Sequence, residues 1–204
     1  MCGIAGHCTL ASNQKANFNI VEKMTSALGH RGPDDDGFFQ SKYVTLGHKR
    51  LSIIGLEDGK QPIFNNDGTI CVVFNGCIYN YPELKIELEK KGYLFKTNTD
   101  TEVLVHMYQE YGIAFIKRLN GMFSFALYDQ AKDRVLIARD RFGVKPLYYQ
   151  IKNNQIIFAS EIKALKQSHI FDSQIDYEAL GIFLSTYYIP EPWTSFKNIK
   201  RLQS

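Results

Sequence analysis

The sequence predicts an α+β fold, with short antiparallel strands towards both ends and helices between them. Three observations carry this. Short β-rich runs bounded by turn residues recur along the chain, helical patterns lie between two groups of them, and Asn66-Asp67-Gly68 supplies a tight turn suited to antiparallel pairing. A chain of 204 residues that is 45% apolar can bury a sizeable core, so one domain with a short extension is expected.

Taken in order, residues 2–10 read as a buried strand starting at the terminus, followed by a helical pattern over 19–28. GFFQS, YVTLGHKRLSI and TICVVFNG read as the next strands. A helix over 82–91 follows, with Pro82 in its first turn and Gly92 as its stop. Thr99-Asp100-Thr101-Glu102 has capping-box spacing and opens a helix over 101–118. MFSFALYD, RVLIARD, LYYQIK and QIIFAS are strand-like, and 161–167 is helical. Beyond about residue 170 the character changes. DYEALGIFLS reads as a helix, and IPEPWTSFKNIKRLQS as a Pro-punctuated, finally basic stretch with no closing strand. The expected division is a domain over 2–170 and a linker over 171–204 into a further domain.

Composition excludes several functions. Twenty-four Lys and Arg against twenty-one Asp and Glu give a net charge of +3, spread rather than gathered, so nucleic acid is not an expected partner. The start does not read as a secretory signal, and no run reaches the ~18 apolar residues of a membrane span. A cytoplasmic protein is expected, with Cys2, Cys8, Cys71 and Cys77 reduced. The scattered histidines and the Cys spacings do not suit zinc, and there is no phosphate loop or dinucleotide fingerprint.

Four places have chemistry to offer. Removal of Met1 gives Cys2 a thiol and a free α-amine on one residue, a nucleophile and a base that titrate near ~8.5 and ~7.7–8.0; otherwise Cys2 is a small residue in a strand. Asn75 and Gly76 follow ICVVF at an expected strand end, where they either form a plain turn or offer a side-chain amide and an N–H to an oxyanion. Arg50 is a surface residue or a carboxylate clamp. Asp100 favours a helix dipole or holds an ammonium.

Together, MCGIAG, HRGPDDDG, GHKRLSI, QPI, FNGCIYN, TDTEV, LNGMFSFALYD, ARDRFGVKPLYY and SEIKAL resemble the class II glutamine amidotransferase domain of glutamine-hydrolysing asparagine synthetases, an N-terminal-nucleophile hydrolase. The resemblance implies a four-layer αββα sandwich of two antiparallel sheets. It implies that Cys2 attacks the side-chain amide of glutamine, that Asn75 and Gly76 form the oxyanion hole, and that Arg50 and Asp100 take the α-carboxylate and α-ammonium. The backbone near Ile53 would line the same pocket. No cofactor is implied for these residues; ATP and Mg belong to a following synthetase domain, the expected partner, which amidates aspartate. A homodimer is left open.

One residue departs from the pattern. The family reads NGEIYN where this chain has Cys77, and loss of a carboxylate beside the substrate ammonium is worth about 1.5–3 kcal/mol. The alternative function is therefore an impaired glutamine-sensing or partner-binding module.

Overall fold

A computed structural model describes residues 1–11 and 13–204. In chain order the elements are β1 (Gly3–Thr9), α1 (Phe18–Ser26), β2 (Asp35–Gln40), β3 (Val44–Arg50), β4 (Ile63–Phe64), β5 (Ile70–Ile78), α2 (Tyr81–Lys90) and α3 (Glu102–Tyr111). A 3₁₀ segment (Gly112–Arg118) follows, then β6 (Gly121–Asp129), β7 (Arg134–Arg139), β8 (Tyr148–Lys152), β9 (Gln155–Ala159), α4 (Ile162–Leu165), α5 (Tyr177–Thr186) and β10 (Lys200–Arg201).

The strands form two sheets, ordered β10-β8-β9-β1-β3-β2 and β4-β5-β6-β7. All the named pairings are antiparallel. Alternation builds the layers. Along β5, Cys71 and Val73 face Ile4, Val44 and Leu46 of the other sheet, whereas Val72 and Phe74 face the α2 and α3 side chains Leu84, Leu88 and Leu104. Along β1, Ile4 and Cys8 point between the sheets, and Ala5 points to Met24 and Ile20 of α1 and to Ala164 of α4. Helices therefore cover the outer face of each sheet, giving the expected four-layer αββα sandwich.

Local chemistry sets the element ends. Asn17 caps α1 by accepting from the Ile20 N–H at 3.3 Å, and Asp176 caps α5 through the Ala179 N–H at 3.0 Å. Gly68, with φ +76°, makes the β4–β5 turn, whose strands pair as the Asn-Asp-Gly signal suggested.

Three expectations are corrected. The helix expected over 101–118 stops at Tyr111, because Gly112 takes φ +57° and the chain continues as 3₁₀. The capping box does not form: the Glu102 carboxylate accepts from the Lys96 and Thr97 N–H groups at 2.9 and 2.7 Å, gathering the preceding loop instead. The basic end does have a strand. β10 pairs with β8, and Ile199 beside it is fully buried against the α1 and α4 layer. A two-residue strand carries no alternation for a sequence pattern to reveal. No helix among the described residues is long and apolar enough to cross a membrane.

Candidate active site

Strand register brings the candidates together. β1 and β3 run antiparallel with Gly3 opposite Lys49, so Cys2 and Arg50 adjoin at the start of one strand and the end of the other. Both are even-numbered, like Ile4 and Leu46, and so face the second sheet. From that sheet, Asn75 and Cys77 continue the inward face begun by Cys71 and Val73. Cys2, Arg50, Ile53, Asn75, Gly76, Cys77 and Asp100 all line one cavity of about 310 Å³ at this end of the sandwich.

The Cys2 thiol is half-buried and fixed from two sides. The Leu51 N–H donates to Sγ at 3.4 Å, and Sγ–H lies 3.6 Å from the Leu51 carbonyl. Arg31 Nε donates to the Cys2 carbonyl at 2.8 Å while its Nη1 binds Glu161 at 2.9 Å. Burial pushes the thiol above its ordinary value, opposed by the Leu51 N–H, the amino terminus, Arg50 and Arg31. Met1 lines the same cavity, its sulfur 3.4 Å from Lys145 Nζ.

Asn75 is 1% exposed, and its Nδ2 has no hydrogen-bond partner among the described residues. A buried donor left unpaired costs about 1–3 kcal/mol, so this amide is poised for an acceptor that enters the cavity. The expected corner at Asn75–Gly76 is corrected, since β5 runs on to Ile78. Gly76 is required for another reason: a Cβ there would fall 2.2 Å from the Met122 carbonyl of β6.

Arg50 is buried and donates to the Leu56 and Ile54 carbonyls at 3.2 and 3.4 Å, and also to Gly55. It therefore shapes the loop carrying Ile53, which is 72% exposed on the rim. Asp100 accepts from the Ile78 N–H at 2.8 Å, and burial raises its pKa. Burial and the Asp100 carboxylate both push the Cys77 thiol up.

Sequence reasoning missed Arg31, Leu51 and Lys145. Arg31 and Leu51 hold Cys2, and Lys145 lines the cavity with 6% exposure. Their only signal was membership of HRGPDDDG, GHKRLSI and ARDRFGVKPLYY, since single basic or apolar residues carry no periodic or spacing cue.

The family model described as a glutamine amidotransferase domain matches residues 1–204. The chain belongs to this family. Asparagine synthetase (glutamine-hydrolyzing) 1 of Bacillus subtilis (strain 168) is 45% identical over 185 residues, covering 90% of this chain and 29% of that protein. Asparagine synthetase (glutamine-hydrolyzing) 2 of the same strain is 47% identical over 167 residues, 81% of this chain and 22% of that protein. The amidotransferase domain described here thus spans less than a third of either relative. A solved glutamine phosphoribosylpyrophosphate amidotransferase from B. subtilis, complexed with ADP and GMP, matches with TM-score 0.69 at 24% identity, covering 81% of this chain and 43% of that one. This last likeness shows a shared fold.

Proposed function

We propose that this domain hydrolyses glutamine to glutamate and ammonia through a thioester on Cys2. The observation that carries the reading is the buried, unpartnered Asn75 Nδ2 in the same cavity as the positioned Cys2 thiol. An acceptor oxygen that gains charge during attack suits such a donor, and its hydrogen bond strengthens as the charge develops.

With Met1 removed, the Cys2 α-amine takes the thiol proton as sulfur adds to the side-chain carbonyl carbon of glutamine. Asn75 Nδ2–H and the Gly76 N–H receive the oxyanion. Collapse breaks the C–N bond, the amine returns its proton to the leaving nitrogen, and ammonia departs. Water then attacks the thioester, giving glutamate and the free thiol. Arg50 takes the α-carboxylate and Asp100 the α-ammonium, with Cys77 beside it and the Ile53 segment closing the rim. Met1 removal also vacates cavity space and releases Lys145 from the Met1 sulfur.

The names of the relatives support a wider reading. Ammonia made here would serve ATP- and Mg-dependent amidation of aspartate in a synthetase domain following residues 171–204. The four free thiols suit a reducing cytoplasm. Impaired sensing is less supported, because no observation favours it over hydrolysis.

The test is release of glutamate and ammonia from glutamine by the chain lacking Met1, with Cys2→Ala as control. Equal release by both chains overturns the reading.

A further inference from the structure

Backbone direction alternates along β5. The Tyr79 N–H donates to the Asn120 carbonyl beside β6, so the odd-numbered residues turn their N–H and C=O groups towards β6 and the even-numbered ones turn theirs away. On that other edge β4 begins at Ile63, opposite Val72, and beyond Val72 the edge has no strand neighbour. Three N–H groups lie on this open stretch. That of Phe74 is taken by Gln61 Oε1 at 2.6 Å, and that of Ile78 by Asp100 Oδ2 at 2.8 Å. Between them the Gly76 N–H points the same way, at the cavity that Gln61, Gly76 and Asp100 line.

The Phe74 carbonyl is held as well. His48 of β3, fully buried, reaches across from the other sheet and its Nε2 donates to that oxygen at 3.0 Å. A carbonyl only accepts, so the ring proton sits on Nε2, and burial draws the His48 pKa down to about 4, which keeps the ring neutral. Nδ1 has no partner among the described residues, so the contact with Phe74 is the one hydrogen bond of this ring. Gln61 is fixed in turn. A Cβ on Gly37 would collide with the Gln61 carbonyl, which is therefore pressed against β2, and Gln61 Nε2 donates to Thr101 Oγ1 at 3.4 Å. Two side chains from different parts of the chain thus grip the polar groups on either side of the Phe74 α-carbon, directly before Asn75.

We propose that His48 and Gln61 are positioning residues that clamp Phe74 so that the Asn75 amide and the Gly76 N–H stay aimed at one point in the cavity. The inference rests on the glutaminase reading and deepens it: both residues act through β5 rather than on the reacting atoms. Without them, buried polar groups of Phe74 would turn towards other partners and carry both donors with them. Donors aimed at a developing oxyanion count mainly in the transition state, so their misplacement is felt in kcat rather than in glutamine binding.

Steady-state glutamine hydrolysis by the Met1-less chain tests the clamp, with unfolding midpoints measured alongside. His48→Leu and Gln61→Met should each lower kcat by about tenfold or more while glutamine KM stays within about threefold. His48→Gln, whose side-chain amide can place an N–H near the position of Nε2–H, should recover kcat to within about threefold of the parent, which a role in filling space alone would not produce. A smaller loss of kcat in either truncation, a loss carried by KM, or a His48→Gln chain no better than His48→Leu overturns the proposal. Where one truncation does not fold, the other decides it. The parent is scored first: a parent that hydrolyses glutamine with variants that match it removes this inference alone, whereas a parent that does not hydrolyse glutamine removes the glutaminase reading and the clamp with it.

Discussion

Arg31 and Cys2 lie 29 residues apart, yet Arg31 Nε donates to the Cys2 carbonyl at 2.8 Å and fixes the backbone of the residue whose thiol enters the cavity. Glu161 holds the guanidinium in turn at 2.9 Å, and a Cβ on Gly32 would collide with the β3 backbone, so the Arg31 loop is pressed against the end of that strand. Arg31 does not line the cavity, so it acts on the position of the thiol rather than on the substrate. Arg31→Met should therefore lower kcat by about 10–100-fold with KM within about threefold, the signature of misplacement. Arg31→Lys should recover part of the loss. A large KM change at constant kcat would instead place Arg31 in substrate binding.

Cys2→Ala should abolish glutamate release while leaving the unfolding midpoint close to that of the parent, because Cys2 contributes little buried volume. Asn75→Ala should lower kcat by about 10²–10³ with a small change in KM, since its donor strengthens with the oxyanion. Steady-state kinetics on the Met1-less chain separate these outcomes. Equal effects of Asn75→Ala on KM and kcat would mean that the amide contacts the ground state.

If the proposed substrate contacts hold, Cys77 and Asp100 set the response to acid and to charge. Burial raises the Asp100 pKa, so the carboxylate protonates at a higher pH than an ordinary aspartate and its contact with an ammonium is lost as pH falls through that raised value. Glutamine KM should therefore begin to climb above the usual carboxylate range. Cys77→Glu should lower KM by about ten- to a hundredfold at neutral pH by adding a second anion. An unchanged KM would remove Cys77 from substrate recognition.

How much of this was legible before the fold was known depends on the kind of signal. Short β-rich apolar runs bounded by turn residues, ICVVF and FSFALY, marked the strands, because strands buried on both faces leave nearly continuous apolar runs in sequence. The two-residue strands β4 and β10 were not marked, having no alternation to show. At Gly76 the residue type was informative but the physical reason was not: the β6 carbonyl demands it, and only the tertiary pairing reveals that. The gathering of Cys2, Arg50, Asn75, Cys77 and Asp100 was expected from long motifs resembling a family. Arg31 and Lys145 escaped because a basic residue looks the same in sequence whether solvated or buried.

The Asp100 loop depends on a buried carboxylate, and this gives a stability prediction with a defined sign. Glu102 is 1% exposed, and its oxygens accept from the Lys96 and Thr97 N–H groups at 2.9 and 2.7 Å and from the Thr97 hydroxyl at 2.6 Å, with His106 Nε2 at 3.4 Å. Burial alone would raise its pKa, but the bonds from His106, Thr97 and the backbone prevail and hold it at about 2. The folded value lies below the unfolded one of about 4.5, so the stabilisation is fully present above that pH and fades as pH falls from there towards 2. A shift of this size corresponds to about 3 kcal/mol. Glu102→Gln should therefore be less stable than the parent by about 2–3 kcal/mol at pH 7, with the gap closing between pH 4.5 and 2. Because the same bonds gather residues 96–101 and carry Asp100 into the cavity, glutamine KM should rise in the variant even where it remains folded. Urea unfolding at pH 7, 5, 4 and 3 measures the gap. One that stays constant down to pH 3 would show that the charge on Glu102 contributes nothing beyond the shape of its side chain.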